Sequence, residues 1–414
     1  MVSGGGVLAL AGSRVGIVGG SLAGCAAAAV LRRMGCEVTV YERTRGELRG
    51  RGVGIALPIE MQYELVSGGY VLENVPFVSN AERNWMVELG GGESRLIWRQ
   101  ALPAVFTNWG LLWQGVRAGV PDDAYRAGTV VTTVRADAEG GELGFADGST
   151  ERFDLLVGAD GHQSRLRRLV HPEARLRYAG YVLWRGTCDE NLLTDPVLRE
   201  LTRRGAVTAC FDGGHAILYR IPGFEGGATP GGRLLNWGVY GGLPDWFRLE
   251  GEAWIPPGRV TDDLARHLLG LVDERLSGGW RELVRRTGTP GMAIQPIFDV
   301  TTPTYVSGRV VLMGDAGTVA RPHTGAGAVK ALRDALALER IAGEHDTWES
   351  VLAAYDAERS REGNATVELG RRIGRAQVED TPRWAEMTRA DFQRWVQETV
   401  ANRSRYLYPE LGDD

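Results

Sequence analysis

Residues Arg14 to Arg43 constrain the fold of this chain more than any other stretch. A β-type run, Arg14 to Val18, leads into Gly19-Gly20-Ser21-Leu22-Ala23-Gly24, and an alanine- and leucine-rich stretch, Cys25 to Met34, follows at helix length. Gly35 stops it, and Glu37 to Tyr41 reads as a second strand ending at Glu42-Arg43. Strand, glycine turn, helix and strand in this order open a parallel sheet with a dinucleotide-binding turn at the end of its first strand. Gly19 permits the sharp turn, and Gly24 lets the helix lie close against the sheet. Gly20, Leu22 and Ala23 belong to the same candidate turn. Ser21 replaces the middle glycine of the G-x-G-x-x-G fingerprint; it still allows close backbone approach and brings a hydroxyl toward a phosphate. Glu42 lies 23 positions after Gly19, which suits a carboxylate on the adenosine ribose hydroxyls.

Two later segments extend this reading. Glu151 to Arg168 contains a buried strand, Asp154 to Val157, then a Gly158-Ala159-Asp160-Gly161 turn and an arginine-rich helical start. Ala136 to Ser149, before it, reads as a β-hairpin with an Asp147-Gly148 turn. Gly308 to Ala335 contains the apolar run Val310 to Met313, then Gly314-Asp315-Ala316, a Pro322-His323 turn and the small-residue loop Gly325-Ala326-Gly327 opening a helix. That order brings a carboxylate to a ribityl hydroxyl while the N–H groups of a helix start face a pyrophosphate or a flavin carbonyl.

The three segments in this order resemble the group A FAD-dependent monooxygenases, the p-hydroxybenzoate hydroxylase-like aromatic hydroxylases, over the chain to about residue 360. The runs GGSLAG, LRGRGVGI at Leu48 to Ile55, Thr107 to Arg117, and GYVLWRG at Gly180 to Gly186 look closest to the 2,6-dihydroxypyridine 3-hydroxylase branch. The resemblance implies an α/β fold: a Rossmann-like FAD-binding domain of the GR2 or p-hydroxybenzoate hydroxylase type, an inserted mixed β-sheet substrate domain, and C-terminal helices. It places a flexible tail at residues 1–13, the FAD-binding domain at 14–175 and 291–365, the substrate domain at 176–290 and the last helices at 366–414. It also implies a reductant, NADPH or NADH, and a flavin C4a-hydroperoxide formed with O2 that transfers one oxygen atom to an electron-rich aromatic or N-heteroaromatic ring. The residues Gly19 to Gly24, Glu42 and Arg43 then fall to the ADP half of FAD, Asp160 to the pyrophosphate loop, and Gly314 and Asp315 to the ribityl chain. Pro322, Gly325, Ala326 and Gly327 lie along the isoalloxazine ring, with Arg51 and Gly52 beside it and Trp109 at a nearby helix start. Substrate contacts are expected from Ile55, Trp184, Arg185, Tyr219, Trp237 and His323. His323 is the candidate catalytic base, since a free imidazole titrates near neutral pH; the other reading makes it a backbone-positioning residue after Pro322.

The same scaffold admits an epoxidase or an oxidative-rearrangement enzyme, and a different class, an FAD oxidase or dehydrogenase, remains open beside it. A halogenase is disfavoured, because no W-x-W-x-I-P run is present. Its halogen-carrying lysine is also missing: the only lysine, Lys330, lies in the helix after the loop, four residues before Asp334, where an i,i+4 ion pair is expected. The net charge of −5 points to neither nucleic acid nor an anionic membrane. Cys25, Cys36, Cys188 and Cys210 show no C-x-x-C spacing and are expected to be free buried thiols. Met1 to Ser13 does not read as a signal peptide, and no apolar stretch reaches membrane-spanning length. The expectation is a cytoplasmic monomer or homodimer with no metal, acting on a small aromatic molecule.

Overall fold

The computed structural model describes residues 10–46, 48–49, 53–249 and 254–399. Arg51, Gly52, most of the expected N-terminal tail and the last fifteen residues lie outside this set. The smaller of the two principal sheets has six strands, in the order Val306–Ser307, Val310–Leu312, Leu155–Gly158, Arg14–Val18, Glu37–Glu42 and Tyr125–Ala127. All neighbours pair in parallel except the Val306–Ser307 edge. Its central strands are apolar on both faces because both are covered, as buried parallel strands require. The Leu22–Arg33 and Ala326–Ala342 helices pack together over it, and their small residues Ala23, Ala27 and Ala331 allow the close approach.

The larger sheet has eight strands, in the order Met292–Asp299, Arg177–Asp189, Arg233–Gly241, Gly214–Pro222, Gly205–Phe211, Val78–Gly90, Glu93–Asn108 and Gly54–Pro58. It is not confined to residues 176–290. Three of its strands come from before residue 110 and one from after 290, because the long Val78–Asn108 hairpin pairs in parallel with Gly205–Phe211. One face of this sheet packs on the helices Pro196–Arg204, Asp262–Arg275 and Gly278–Thr287 through a core that includes Trp184, Trp237, Leu264, Leu268 and Trp280. The other face meets the Pro322–Thr324 turn and the C-terminal helices. There the 27-residue helix Trp348–Gly374 ends in a π-helical turn, Arg375–Glu379, and the Arg389–Thr399 helix packs Phe392 and Val396 against Trp85.

A third, three-stranded sheet joins Val131–Ala136, Gly141–Phe145 and Thr150–Phe153. The Asp147-Gly148 turn links its last two strands, with Gly148 at φ +87°. All four cysteines are buried and free. Among the described residues, no helix is long and apolar enough to cross a membrane.

Candidate active site

Parallel pairing of Arg14–Val18 with Leu155–Gly158, and of that strand with Val310–Leu312, brings three turns together at the strands' carboxyl ends. Gly19 turns with φ +105°, and a side chain there would strike the carbonyl of Ala159. A side chain at Gly24 would strike the carbonyl of Gly19, so the helix start is pressed onto the turn. Ser21 is the helix N-cap, yet its hydroxyl makes no capping bond. Leu22 and Ala23 are buried in the core. The buried Glu42 accepts from the N–H of Gly20 at 2.8 Å and of Thr44 at 2.9 Å, so in this state its carboxylate braces the turn. Arg43 next to it is exposed.

In the second turn, Asp160 accepts from the Ser164 hydroxyl and, at 2.6 Å, from the N–H of Arg165. Its carboxylate shapes the loop that starts the Arg165–Val170 helix. The buried Arg167 reaches across and donates to the Asp315 carbonyl at 2.8 Å, tying the second turn to the third. There Gly314 takes φ +57°, its N–H donates to Asp334 at 2.8 Å, and its carbonyl accepts from Lys330. The expected Lys330–Asp334 pair forms at 3.4 Å, and Arg359 donates to the other Asp334 oxygen at 2.8 Å. A wholly buried charge cluster therefore holds this turn, while the Asp315 side chain stands exposed at its tip.

Beyond it, Pro322–Thr324 forms a short turn, and Gly325 at φ +63° opens the Ala326–Ala342 helix. Thr324 accepts from the N–H of Ala326 at 3.1 Å, but no N-cap side chain closes the helix, and the space around Gly327 is open. Trp109 lies parallel to Trp113 at 6.4 Å, and the Trp113 indole donates to the Gly20 carbonyl at 2.9 Å. Glycine turns, an exposed carboxylate and an uncapped helix start fit an FAD laid across the ends of these strands.

On the cofactor-side face of the larger sheet, Tyr219 donates to the Gly54 carbonyl at 3.0 Å, and the N–H of Gly54 donates to Asn236 at 2.9 Å. Arg185 donates to Gln295 at 2.8 Å, lies 6.0 Å from the Trp254 ring, and keeps a buried Nε without a partner. Tyr240 stacks on His215 at 4.3 Å and on His323 at 4.2 Å. The Tyr181 hydroxyl meets His323 Nε2 at 2.8 Å and accepts from Arg321 at 3.2 Å. Arg321 is paired in turn with Asp299 at 2.9 Å and with Glu379. Burial lowers the pKa of both His215, to about 3, and His323, so both imidazoles are neutral.

Comparison with known proteins decides the family. Residues 17–55 match a model described as an NAD(P)-binding Rossmann-like domain, and residues 178–246 one described as FAD binding domain-like. A 2,6-dihydroxypyridine 3-monooxygenase of Paenarthrobacter nicotinovorans is 30% identical over 85% of this chain and 88% of its own length. The chain belongs to the FAD-dependent aromatic hydroxylases. A 3-amino-4-hydroxybenzoate 2-monooxygenase of Streptomyces cremeus is 27% identical over 78% of this hydroxylase and 77% of itself. The solved 2,6-dihydroxypyridine-3-hydroxylase of Arthrobacter nicotinovorans superposes with TM-score 0.79 at 25% identity, covering 89% of the hydroxylase and 94% of that chain. The hydroxylase is thus an FAD-dependent monooxygenase of aromatic substrates that uses NAD(P)H and O2.

Three expected substrate contacts are corrected. Trp184 is 1% exposed and Trp237 0%, both in the core beneath the helices on the opposite face, where the Trp237 indole donates to Thr287 at 2.9 Å. Successive strand residues face opposite ways, so Arg185 on the cofactor side requires Trp184 on the other. Ile55 likewise turns into the nucleotide-domain core, while its neighbours Gly54 and Ala56 meet Tyr219. Arg185, Tyr219 and His323 do share one face. Sequence reasoning missed His215, Arg321 and Gln377 beside them, and missed His162, whose buried Nε2 lacks a partner close to Asp315 and Arg43. Alternation along Gly214–Pro222 and Arg233–Gly241 would have placed His215 and Tyr240 with Tyr219.

Proposed function

We propose that the hydroxylase oxidises a small, planar, electron-rich phenol or hydroxypyridine bound on the sheet face of Arg185, Tyr219 and Tyr240, with His323 at its cofactor end. The observation that carries this reading is Arg185: a guanidinium with an unpartnered Nε, facing two tyrosines and no carboxylate. A buried cation without a counter-ion favours a ligand bearing an anionic or strongly polarised oxygen. FAD, when bound, supplies the oxygen-transfer chemistry, using NAD(P)H and O2.

This chain's residues hold, orient and exclude water. Gly19 to Gly24, Asp160 and Arg43 hold the diphosphate and adenosine end, with Glu42 exchanging its bond to Gly20 for the ribose. Asp315 accepts from the ribityl chain, and the Pro322 to Gly327 loop flanks the ring. Trp109, Arg51 and Gly52 stay assigned to the cofactor edge. Tyr219 and Asn236 close the sheet against Gly54, which keeps solvent from the reacting carbon. His323 is the group of this face closest in sequence to the flavin loop and is proposed to touch the substrate oxygen. Residues 14–175 and 291–365 supply these cofactor contacts, and the strands between 176 and 290 supply Arg185, Tyr219 and Tyr240. The net charge and the four free thiols support a cytoplasmic protein, monomer or homodimer, with no nucleic-acid partner.

The test is anaerobic flavin reduction by NADPH and by NADH, alone and with phenols, 2,6-dihydroxypyridine and hydroxybenzoates. Acceleration by one ligand, followed by its hydroxylation in air, is expected. Bleaching of the flavin by a ligand without nicotinamide would overturn the reading.

A further inference from the structure

The π-helical turn Arg375–Glu379 brings the C-terminal end of the long helix onto the sheet face, beside the Gly214–Pro222 strand. Short π segments often mark functional sites. Gln377 in this turn is 1% exposed and its Nε2 has no partner. His215 on the strand is 2% exposed and its Nδ1 has no partner. Native interiors leave few such atoms unmatched, and here two occur on adjoining residues.

The two atoms have opposite hydrogen-bonding character. His215 hydrogen-bonds the backbone of Gln377 in the sense that favours a protonated nitrogen, so that bond goes to the carbonyl. With Nδ1 unpartnered, the hydrogen on the neutral ring sits on Nε2, and Nδ1 carries a bare lone pair. The Gln377 amide nitrogen only donates. One acceptor and one donor therefore lie on packed neighbours at a buried place. Ring contacts tie that place to the cofactor: Tyr240 touches both His215 and His323, and the two imidazole centroids are 5.2 Å apart. His323 belongs to the loop that leads to Gly325.

We propose that His215 and Gln377 form a subsite that selects substrates carrying a ring N–H next to a C=O: Nδ1 of His215 accepts from the N–H, and Gln377 donates to the oxygen. This rests on the ring-hydroxylase reading above and narrows its substrate class to hydroxypyridines and related N-heteroaromatics in their lactam form. A benzenoid phenol or carboxylate has no donor on the atom beside its oxygen and leaves His215 unmatched. Sites built around a hydrogen bond discriminate strongly against ligands that lack it. Water can occupy the same two bonds, so the decisive readout is selectivity between ligands.

The experiment uses the FAD-loaded enzyme and calorimetric titration with 2,6-dihydroxypyridine, its N-methyl derivative, and resorcinol as the carbocyclic counterpart. The expected result is a Kd about tenfold or more lower for 2,6-dihydroxypyridine than for either analogue. Gln377→Leu and His215→Phe should shrink that ratio to about twofold, while His215→Asn, which keeps an acceptor near Nδ1, restores part of it. Selective 15N labelling of the histidines in the same holoenzyme should show His215 as the neutral Nε2–H form. Equal affinities for the three ligands, or a ratio unchanged by both disruptive variants, would overturn the subsite. If resorcinol or a hydroxybenzoate binds best and is hydroxylated, the subsite falls and the ring-hydroxylase reading stands. If no ring compound binds or accelerates flavin reduction, both fall.

Discussion

Asp315 stands exposed on a turn whose other polar groups are buried and matched. Arg167 donates to its carbonyl and fixes the main chain here, while the carboxylate stands at the surface. A charge-assisted hydrogen bond contributes about 1.5–3 kcal/mol, so Asp315→Ala should weaken FAD binding roughly ten- to hundredfold with little change in folding. Titration of apoprotein with FAD measures this, and unchanged affinity would remove Asp315 from the cofactor. His215 and His323 make a second prediction at this scale. An unfolded imidazole titrates near its ordinary value, while burial holds both native rings neutral to much lower pH. Below about pH 6.5 the unfolded chain therefore binds more protons than the native one. Stability from these residues is present in full above that pH and declines as pH falls below it, for His215 until about pH 3, by up to about 1.4 kcal/mol per pH unit for each ring. Urea unfolding between pH 7 and 5 should show this slope, and His215→Asn should reduce it. An unchanged slope would mean His215 is not neutral in the native state.

At the scale of elements, the Ala326–Ala342 helix serves the turn that it follows. Lys330 binds the Gly314 carbonyl and Asp334, and Asp334 also receives Arg359 and the Gly314 N–H. Removing one member of such a buried cluster leaves uncompensated charge. Lys330→Met should cost about 3–5 kcal/mol and lower FAD occupancy together with Tm. Trp184 and Trp237 belong to the opposite layer, so Trp184→Leu should cost about 2–4 kcal/mol without altering substrate KM; a changed KM would return it to the substrate face. The glycine turns were legible because their cause is local, a positive φ or close helix approach at fixed spacing. The face of Trp184 was legible too, through strand alternation, but aromatic character outweighed the period of two. Nothing local marks Gln377: its place depends on a π turn at the far end of a 27-residue helix meeting a strand from mid-chain. The brace formed by Asp334 and Arg359 is equally hidden, since only the fold brings those helices together.

The whole molecule is organised around the larger sheet, which separates two tasks by face. One side supplies an apolar core under the Pro196–Arg204, Asp262–Arg275 and Gly278–Thr287 helices, and the other receives the Pro322–Thr324 turn and the π turn. The sheet is also assembled from three distant stretches of sequence, 54–108, 177–241 and 292–299. That interleaving governs how the chain reaches its native state. The Gly205–Phe211 strand pairs in parallel with Val78–Gly90 across more than a hundred residues, and such high contact order makes for slow folding through states with open strand edges. A fragment spanning 176–290 would lack both flanking partners and present two unpaired edges, so its expression alone should give aggregate, whereas co-expression with 1–175 and 291–414 should recover soluble complex. Monomeric, cooperatively melting fragment would show that the central strands are self-sufficient. Ancestry by simple insertion of a finished module fits poorly with this weave: cut out in its present form, the 176–290 stretch leaves both of its outer strands without their partners.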